Sequence, residues 1–335
     1  RMPAWHPSVF TTTPAADRAR EILAWERATL QPKFGVPLGV EYTHTFGVGQ
    51  LYDYDWFFDG IPLPIRTREA AELLGVPLGQ EILYFPRRSF DLWNTRYFVL
   101  PTYPHGWRDP YRAYASFLLG TDPIDLKPGD PDQIPPDLQI RRNRNAAPRA
   151  WVVHDARFVA TTSETSRDAR NRALLEMIYA GDPIWHDPRR LVFDPRIFAW
   201  ADHDDERELR PYLSGQPPRP SETVTVRYPT PQRAELEVTL ESPGLVILAD
   251  LYYPGWMLTI DGRPAPIYKV NRLMRGAALA AGRHRLVYTY SPRSFQVGLV
   301  VSILGMVVFV LLAVACVLRP IDPVVGAHDP VALPG

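Results

Sequence analysis

The feature that most constrains this chain is an apolar run near its C-terminus. Residues 297–318 read VGLVVSILGMVVFVLLAVACVL, which is 22 residues without a charged side chain. As an α-helix this run is about 33 Å long, which matches a hydrocarbon core of about 30 Å. Core helices of soluble proteins are normally shorter and keep a polar stripe. The run therefore predicts one transmembrane helix over residues 296–318, with a short tail at 319–335.

Small residues recur along one side of this predicted helix, at Gly298, Ser302 and Gly305. Such positions let a second helix approach closely, although glycine is also tolerated in membrane helices without that role. The sole cysteine, Cys316, lies in the same run, so an intrachain disulfide is excluded.

Composition excludes some classes of partner. Lys+Arg and Asp+Glu both number 37 among 335 residues, so no charge excess favours nucleic acid. Hydrophobic residues make up 46%, which allows a packed core. The 36 prolines predict short elements joined by long loops, because proline removes a backbone donor.

A regular series of short strands is predicted after Pro220. Turn residues such as Pro, Gly and Asp separate apolar runs at 224–228, 234–240, 245–251, 256–260, 277–281 and 285–290. This spacing is typical of an antiparallel β-sandwich, which we place at residues 221–292. We predict that residues 1–220 form a mixed α/β extracytoplasmic region that is rich in loops and proline. Its predicted helices lie at 15–30, 67–74 and 166–180. The expected fold class is an α+β soluble region with a C-terminal antiparallel β-sandwich, followed by a single transmembrane helix.

Several motifs in this region occur in a fixed order. They are D-x-Y-Y-P-G-W at residues 250–256, Asp261-Gly262, Asn271 with Arg275, and Gly282 with His284, followed by the apolar run. In this order they resemble the C-terminal end of the bacterial YfhO-type membrane proteins. Residues 91–101 and 142–153 resemble that family more weakly.

The resemblance implies a membrane protein related to GT-C glycosyltransferases, which are implicated in transferring sugars from polyprenyl carriers to cell-envelope polymers. In that family many membrane helices precede the outer domain and carry the catalytic carboxylate. The present sequence matches only the outer domain and last helix. We therefore expect either an excerpt of a longer enzyme or a descendant without the chemistry, in the bacterial inner membrane with its soluble part in the periplasm. A cytoplasmic, tail-anchored orientation stays open, because the tail charges barely orient the helix.

Six residues form the candidate binding site: Asp250, Tyr252, Tyr253, Trp256, Asn271 and Arg275. In one interpretation the aromatic rings stack on a sugar while the polar groups bind its hydroxyls or a phosphate. In the other, which we favour, Pro254 and Gly255 form a turn, Trp256 fills the core and Asp250 pairs with Arg275. The tyrosines then lie at the lipid interface.

Two acidic motifs are weaker candidates. The D-x-D at residues 53–55 is found in sugar-diphosphate sites but lies among aromatic residues, and the run at 202–206 offers oxygen ligands without a ligand repeat. We predict no catalytic residue, no metal site and no cofactor.

Two functions from different classes fit this sequence. The first is a non-catalytic accessory or structural subunit that docks on a larger membrane protein complex, for example a photosynthetic or respiratory one, with lipids and other subunits as partners. The alternative is a glycan- or acceptor-binding domain of a polyprenyl-phosphate-sugar-dependent glycosyltransferase, with an envelope glycan as partner.

Overall fold

The computed structural model describes residues 19–20, 23–24, 27, 36–43, 54, 57–58, 63–64, 83–84, 88–101, 120–124, 138–159 and 193–318. Its strands are β1 (Leu63–Pro64), β2 (Leu83–Tyr84), β3 (Tyr97–Pro101), β4 (Thr121–Pro123), β5 (Leu138–Asn143), β6 (Ala150–Val153), β7 (Ala156–Val159), β8 (Ala199–Asp202), β9 (Thr223–Thr230), β10 (Arg233–Leu240), β11 (Gly244–Leu251), β12 (Trp256–Ile260), β13 (Arg263–Ala265), β14 (Tyr268–Val270), β15 (Met274–Leu279) and β16 (Gly282–Tyr290). The α-helices are α1 (Arg88–Leu92), α2 (Glu206–Leu209) and α3 (Arg293–Leu318), and 3-10 turns span Val36–Leu38, His203–Asp205 and Arg210–Tyr212.

Helix predictions upstream of residue 200 fall mostly outside these ranges. Residues 19–20, 23–24 and 27 are helical, in agreement with the helix predicted over 15–30. The helices predicted at 67–74 and 166–180 lie outside the described residues.

Two large sheets form the C-terminal part of the molecule. One has five antiparallel strands in the order β13-β12-β16-β10-β9, and the other has six in the order β6-β11-β15-β14-β8-β7. Alternate residues of β10, such as Leu236 and Val238, are buried in one cluster with Val246 and Leu248 of the other sheet. This is the period of two expected for strands with one face in a core. The predicted antiparallel β-rich fold, with few helices and a C-terminal apolar helix, is confirmed.

The six-stranded sheet begins upstream of the boundary that the sequence predicted for the sandwich. Its β6 pairs with β11 from Leu245↔Val153 to Leu248↔Ala150, and β7 and β8 join its other edge as a parallel pair. The sandwich therefore extends before residue 221. Local patterns cannot show this, because the paired strands lie about 90 residues apart and register is set by packing.

The second face of the six-stranded sheet is also covered. Leu245 and Ile247 of β11 belong to a buried cluster with Phe57, Trp93 and Phe193 from upstream segments. Strand β11 is consequently buried on both faces, which explains why its sequence, GLVILADL, is a nearly continuous apolar run.

The membrane helix α3 follows the last strand almost at once. Only Ser291 and Pro292 separate β16 from α3, and every residue of α3 is exposed. Among the described residues it is the one helix long and apolar enough to cross a membrane. A Cβ added at Gly298 or Gly305 would meet no atom within 4 Å. The small-residue side is thus open, and its packing against another helix stays a prediction.

The turn before β12 needs glycine for two reasons. Gly255 has φ +106°, and a Cβ there would lie 2.9 Å from the Pro292 Cβ. We therefore expect Gly255→Ala to lower the free energy of unfolding by about 1–3 kcal/mol, through backbone strain and this overlap. Urea unfolding of the full chain in mild detergent, followed by circular dichroism, measures the change. Gly262→Ala is the matched control, because Gly262 has φ +80° but no neighbour within 4 Å. Equal losses for the two variants would contradict the role given to Pro292.

Candidate functional site

Three of the six predicted site residues, Asp250, Trp256 and Arg275, meet in a buried ionic cluster between the two sheets. We call it the Asp250 cluster; it comprises Asp250, Arg149, Tyr228, Arg275 and Trp256. The Asp250 carboxylate lies 2.6 Å from Arg149 Nη2 and 3.6 Å from Arg275 Nη1. The register of β11 against β15 shifts between Leu248 and Leu251, so Asp250 lies within a local irregularity. Such irregularities re-aim side chains, which accounts for a charged residue on an otherwise apolar strand.

Arg275 connects the carboxylate to the aromatic part of the cluster. Its Nε donates to the carbonyl of Leu251 at 3.0 Å, and its guanidinium lies 3.6 Å from the centre of the Trp256 ring. Burial lowers the pKa of Arg275, and Asp250 offsets this only in part. Stacking on Trp256 compensates the cation for part of its lost hydration. The predicted pairing of Asp250 with Arg275 is present in the structure.

Arg149 and Tyr228 complete the cluster from upstream of β6 and from β9. The Tyr228 hydroxyl lies 3.1 Å from the Asp250 carboxylate, and Arg149 Nε donates to that hydroxyl at 2.9 Å. Burial disfavours the charged form of Arg149 more than any single neighbour favours it, but Asp250, Tyr228 and Glu41 together outweigh burial and raise the pKa of Arg149. Burial, with the Asp250 charge, raises the pKa of Tyr228 above its usual range. The cluster therefore ties β9, β11 and β15 together through charge-assisted hydrogen bonds.

The sequence did not single out Arg149 or Tyr228. Arg149 stands in the segment at 142–153 that weakly resembles the family, and that was the available signal. Tyr228 is the last residue of the strand predicted over 224–228, whose alternation is ordinary, so no local signal marked it.

The other predicted site residues lie elsewhere. Asn271 is buried in the turn between β14 and β15, where its side-chain oxygen accepts from the Trp200 N–H at 3.0 Å and its own N–H donates to the Trp200 carbonyl at 2.7 Å. It therefore joins this turn to β8 rather than facing Trp256. Tyr252 is half-buried and its N–H donates to the Leu273 carbonyl, whereas Tyr253 is exposed.

Tyr288 lies beside the Asp250 cluster and has a buried hydroxyl group. Its side chain is fully buried, and its oxygen has no hydrogen-bond partner among the described residues. Burial raises the pKa of this phenol. Since an unpaired buried hydroxyl costs about 1–3 kcal/mol, we expect Tyr288→Phe to leave the fold equally stable or to stabilise it. Thermal unfolding in mild detergent tests this, with Tyr228→Phe as control. Tyr228 is hydrogen-bonded, so its variant should lose stability, and a loss of similar size for Tyr288→Phe would refute the expectation.

A second buried polar contact joins His154 to Glu222. The two His154 ring nitrogens lie 2.7 Å from the Pro243 carbonyl and 2.8 Å from the Glu222 carboxylate. Each ring nitrogen thus faces an oxygen atom, and the two contacts fix the orientation of the ring. His154 thus links the end of β6 to the segments that precede β9 and β11.

The Glu222 contact predicts a dependence of stability on pH. Burial disfavours the charged carboxylate, but donation from His154 and from backbone N–H groups outweighs burial and lowers the pKa of Glu222 from 4.5. The stabilisation is therefore complete above about pH 4.5 and is lost as the pH falls through the lower, folded-state value. We expect unfolding free energy to fall less steeply below pH 4.5 for Glu222→Gln than for the wild type. Exposed Glu237→Gln should keep the wild-type slope, and urea titrations at several pH values make the comparison.

The structure describes one of the two weaker acidic candidates. Asp53 and Asp55 lie outside the described residues. Asp202 ends β8, and the next residues form a 3-10 turn and α2. Burial, with neighbouring carboxylates, raises the pKa of Asp205. Within the described ranges no group of three or more His, Cys, Asp or Glu residues is placed to hold a metal ion.

The geometry of the Asp250 cluster favours architecture over chemistry. The Asp250 carboxylate faces donors of its own chain, and the Arg275 guanidinium is covered by Trp256. An open depression of about 500 Å³ lies at the C-terminal end of β12 and is lined by Ile260, Arg263, Ala278 and His284, among others. None of the residues of the Asp250 cluster lines it.

Comparison with known proteins gives a match for one region of the chain. No curated protein and no solved structure matches it. The model of the family described as "Bacterial membrane protein YfhO" matches residues 222–302, which contain β9 to β16 and the start of α3. The two weaker upstream resemblances lie outside this range. Residues 222–302, from β9 into the start of α3, are thus similar to the YfhO family of bacterial membrane proteins, and the match does not extend over the rest of the chain.

Proposed function

We propose that this chain is a non-catalytic, membrane-anchored accessory or structural subunit. Its extracytoplasmic domain docks on a larger membrane protein complex and stabilises it. The observation that carries the proposal is the Asp250 cluster, in which Asp250 and Arg275 bind each other and neighbouring groups of the chain rather than lining a cleft. Groups held this way fix the fold and have little freedom to bind and release a substrate.

The membrane helix supplies the second support. It is exposed on every side, and Gly298, Ser302 and Gly305 lie on one side of it. In lipid, small residues favour helix association because they allow close backbone contact. The proposal places the soluble domain in the periplasm, with lipids and other subunits as partners, and a photosynthetic or respiratory complex is a suitable host.

Purification in mild detergent from the native membrane tests the proposal. The wild type should co-purify with other membrane subunits. Gly305→Leu should reduce their yield severalfold, because the added side chain separates the helices. Val307→Leu is the matched control, because residue 307 lies on the opposite side of the helix from Gly305. This substitution also adds little side-chain volume. A monodisperse species of the chain's own mass, without co-purifying subunits, would refute the proposal.

The YfhO-type match supports a second candidate, a glycan- or acceptor-binding domain of a polyprenyl-phosphate-sugar-dependent glycosyltransferase. In that case the exposed part of Trp256 contacts the sugar. Binding of polyprenyl-phosphate sugars to the wild type, measured by titration in detergent, distinguishes this candidate, and the Trp256 variant described below separates binding from folding.

A further inference from the structure

Three large apolar side chains are exposed where the sheets meet the membrane helix. Tyr253 precedes the turn before β12 and is 43% exposed, Met257 follows that turn at 54%, and Phe295 in the first turn of α3 is 67% exposed. We call these residues the helix-proximal patch. We infer that this patch lies in the headgroup region of the bilayer that α3 crosses, so that lipid covers it.

The backbone holds this end of the sandwich to the start of α3. The Ser291 N–H donates to the Gly255 carbonyl at 2.8 Å, and Trp256 pairs with Tyr290 across the sheet, with ring centres 5.3 Å apart. Pro292 fills the space beside Gly255. The turn cannot move away from the helix without breaking these contacts.

The distance along the helix then sets the depth of the patch. The apolar run begins at Val297, four residues after α3 starts at Arg293. At about 1.5 Å per residue this separation is about 6 Å. The headgroup layer on each side of the hydrocarbon core is about 5–7 Å thick. The start of α3, and the turn fixed to it, therefore lie at headgroup level.

The chemistry of this end also suits the interface. Residues 251–260 and 286–292 contain no charged side chain. Tyrosine and tryptophan are enriched at headgroup level because they combine an apolar ring with a polar group. Outside the buried Asp250 cluster, two cations flank this end: Arg293 begins α3, and Arg233, which is paired with Glu235, lies opposite Thr289 of β16. Cations at this level can meet lipid phosphates.

The opposite ends of the same strands are charged. Asp261 lies in the turn after β12 and Arg263 begins β13. Arg283 and Arg285 lie near the start of β16. The sheet thus passes from an uncharged end beside the helix to a charged end away from it. This gradient fits a domain that stands on the membrane with β12 and β16 directed away from it.

Lipid is a better occupant than a protein partner. The patch is continuous with α3, whose surface is itself apolar and exposed. It has three large side chains, whereas stable protein interfaces take roughly 20–30 residues a side. The inference does not depend on the proposed function, since a docking partner would use other surfaces.

Spin labels at single cysteines test the depth of the patch. The full chain with Cys316→Ser receives Tyr253→Cys, Met257→Cys, Thr259→Cys or Arg263→Cys in turn. Each labelled variant is reconstituted in vesicles of phosphatidylcholine and phosphatidylglycerol. Collision rates with oxygen, which enters lipid, and with a water-soluble nickel chelate are then compared.

We expect the ratio of oxygen to nickel collisions to be severalfold higher at positions 253 and 257 than at 263, with 259 between them. Equal ratios at all four positions would overturn the inference. A protection at 253 that grows with the protein-to-lipid ratio would also overturn it, because a second copy of the chain would then cover the patch. Agreement between 253 and 257 guards against misfolding of one variant.

Discussion

Asp250→Asn is expected to lower the free energy of unfolding by about 3 kcal/mol, the lower end of the range for breaking a buried ion pair. The asparagine keeps the shape of the side chain but removes the charge. Arg275, which is buried, then has no carboxylate beside it, and Tyr228 loses a strong acceptor. The lower end applies because Arg149, the second cation, is partly exposed. Urea unfolding of the full chain in mild detergent, followed by circular dichroism, gives the measurement.

Asp194→Asn is the matched control for this result. Asp194 also pairs with an arginine, Arg196, but that arginine is largely exposed. Solvent screens such pairs, so the control should lose no more than about 1 kcal/mol. If the two variants lost equal stability, the Asp250 cluster would not be the structural element that we describe.

Trp256→Ala is expected to lower the free energy of unfolding of the sandwich by about 3 kcal/mol. This value is the lower end of the range for truncating a large aromatic side chain, because Trp256 is only half-buried. The substitution removes the ring that covers Arg275 and its contact with Tyr290. Circular dichroism in urea measures the loss. Tyr97→Ala is the control: it truncates an aromatic side chain that is 56% exposed, and the change should stay within about 0.5 kcal/mol.

This variant also separates the two candidate functions. A structural Trp256 predicts reduced stability, whereas a sugar platform predicts a normal fold with lost glycan binding. The double variant Asp250→Asn with Trp256→Ala sharpens the result. Both residues contact Arg275, so their effects should be less than additive, and strict additivity would contradict a shared cluster.

The contacts of the Asp250 cluster explain why its motif can be architectural. The segment from Asp250 to Trp256 supplies both a carboxylate and an aromatic ring to the Arg275 guanidinium. The same turn is held against the start of α3 through Gly255 and Ser291. The sequence that resembles the YfhO family is thus the sequence that joins the sandwich to the membrane helix.

The sequence by itself determined the features that depend on neighbouring residues. The length of the apolar run predicted the position of the membrane helix. The alternation of apolar residues in β10, together with the Pro and Gly turns, predicted the strands of the C-terminal sandwich. The pairing of Asp250 with Arg275 also followed, because both belong to one short motif region. Each of these signals needs only local geometry and the transfer of apolar side chains out of water.

Tertiary structure alone decided the rest. The addition of β6, β7 and β8 to the six-stranded sheet, the entry of Arg149 and Tyr228 into the cluster, and the separation of Asn271 from Trp256 all depend on contacts between distant segments. Such contacts form where folding brings a buried charge, or the unpaired edge of a strand, next to a complementary group from a distant part of the sequence. The energy of that pairing depends on the whole packed core, so no short window of sequence contains it.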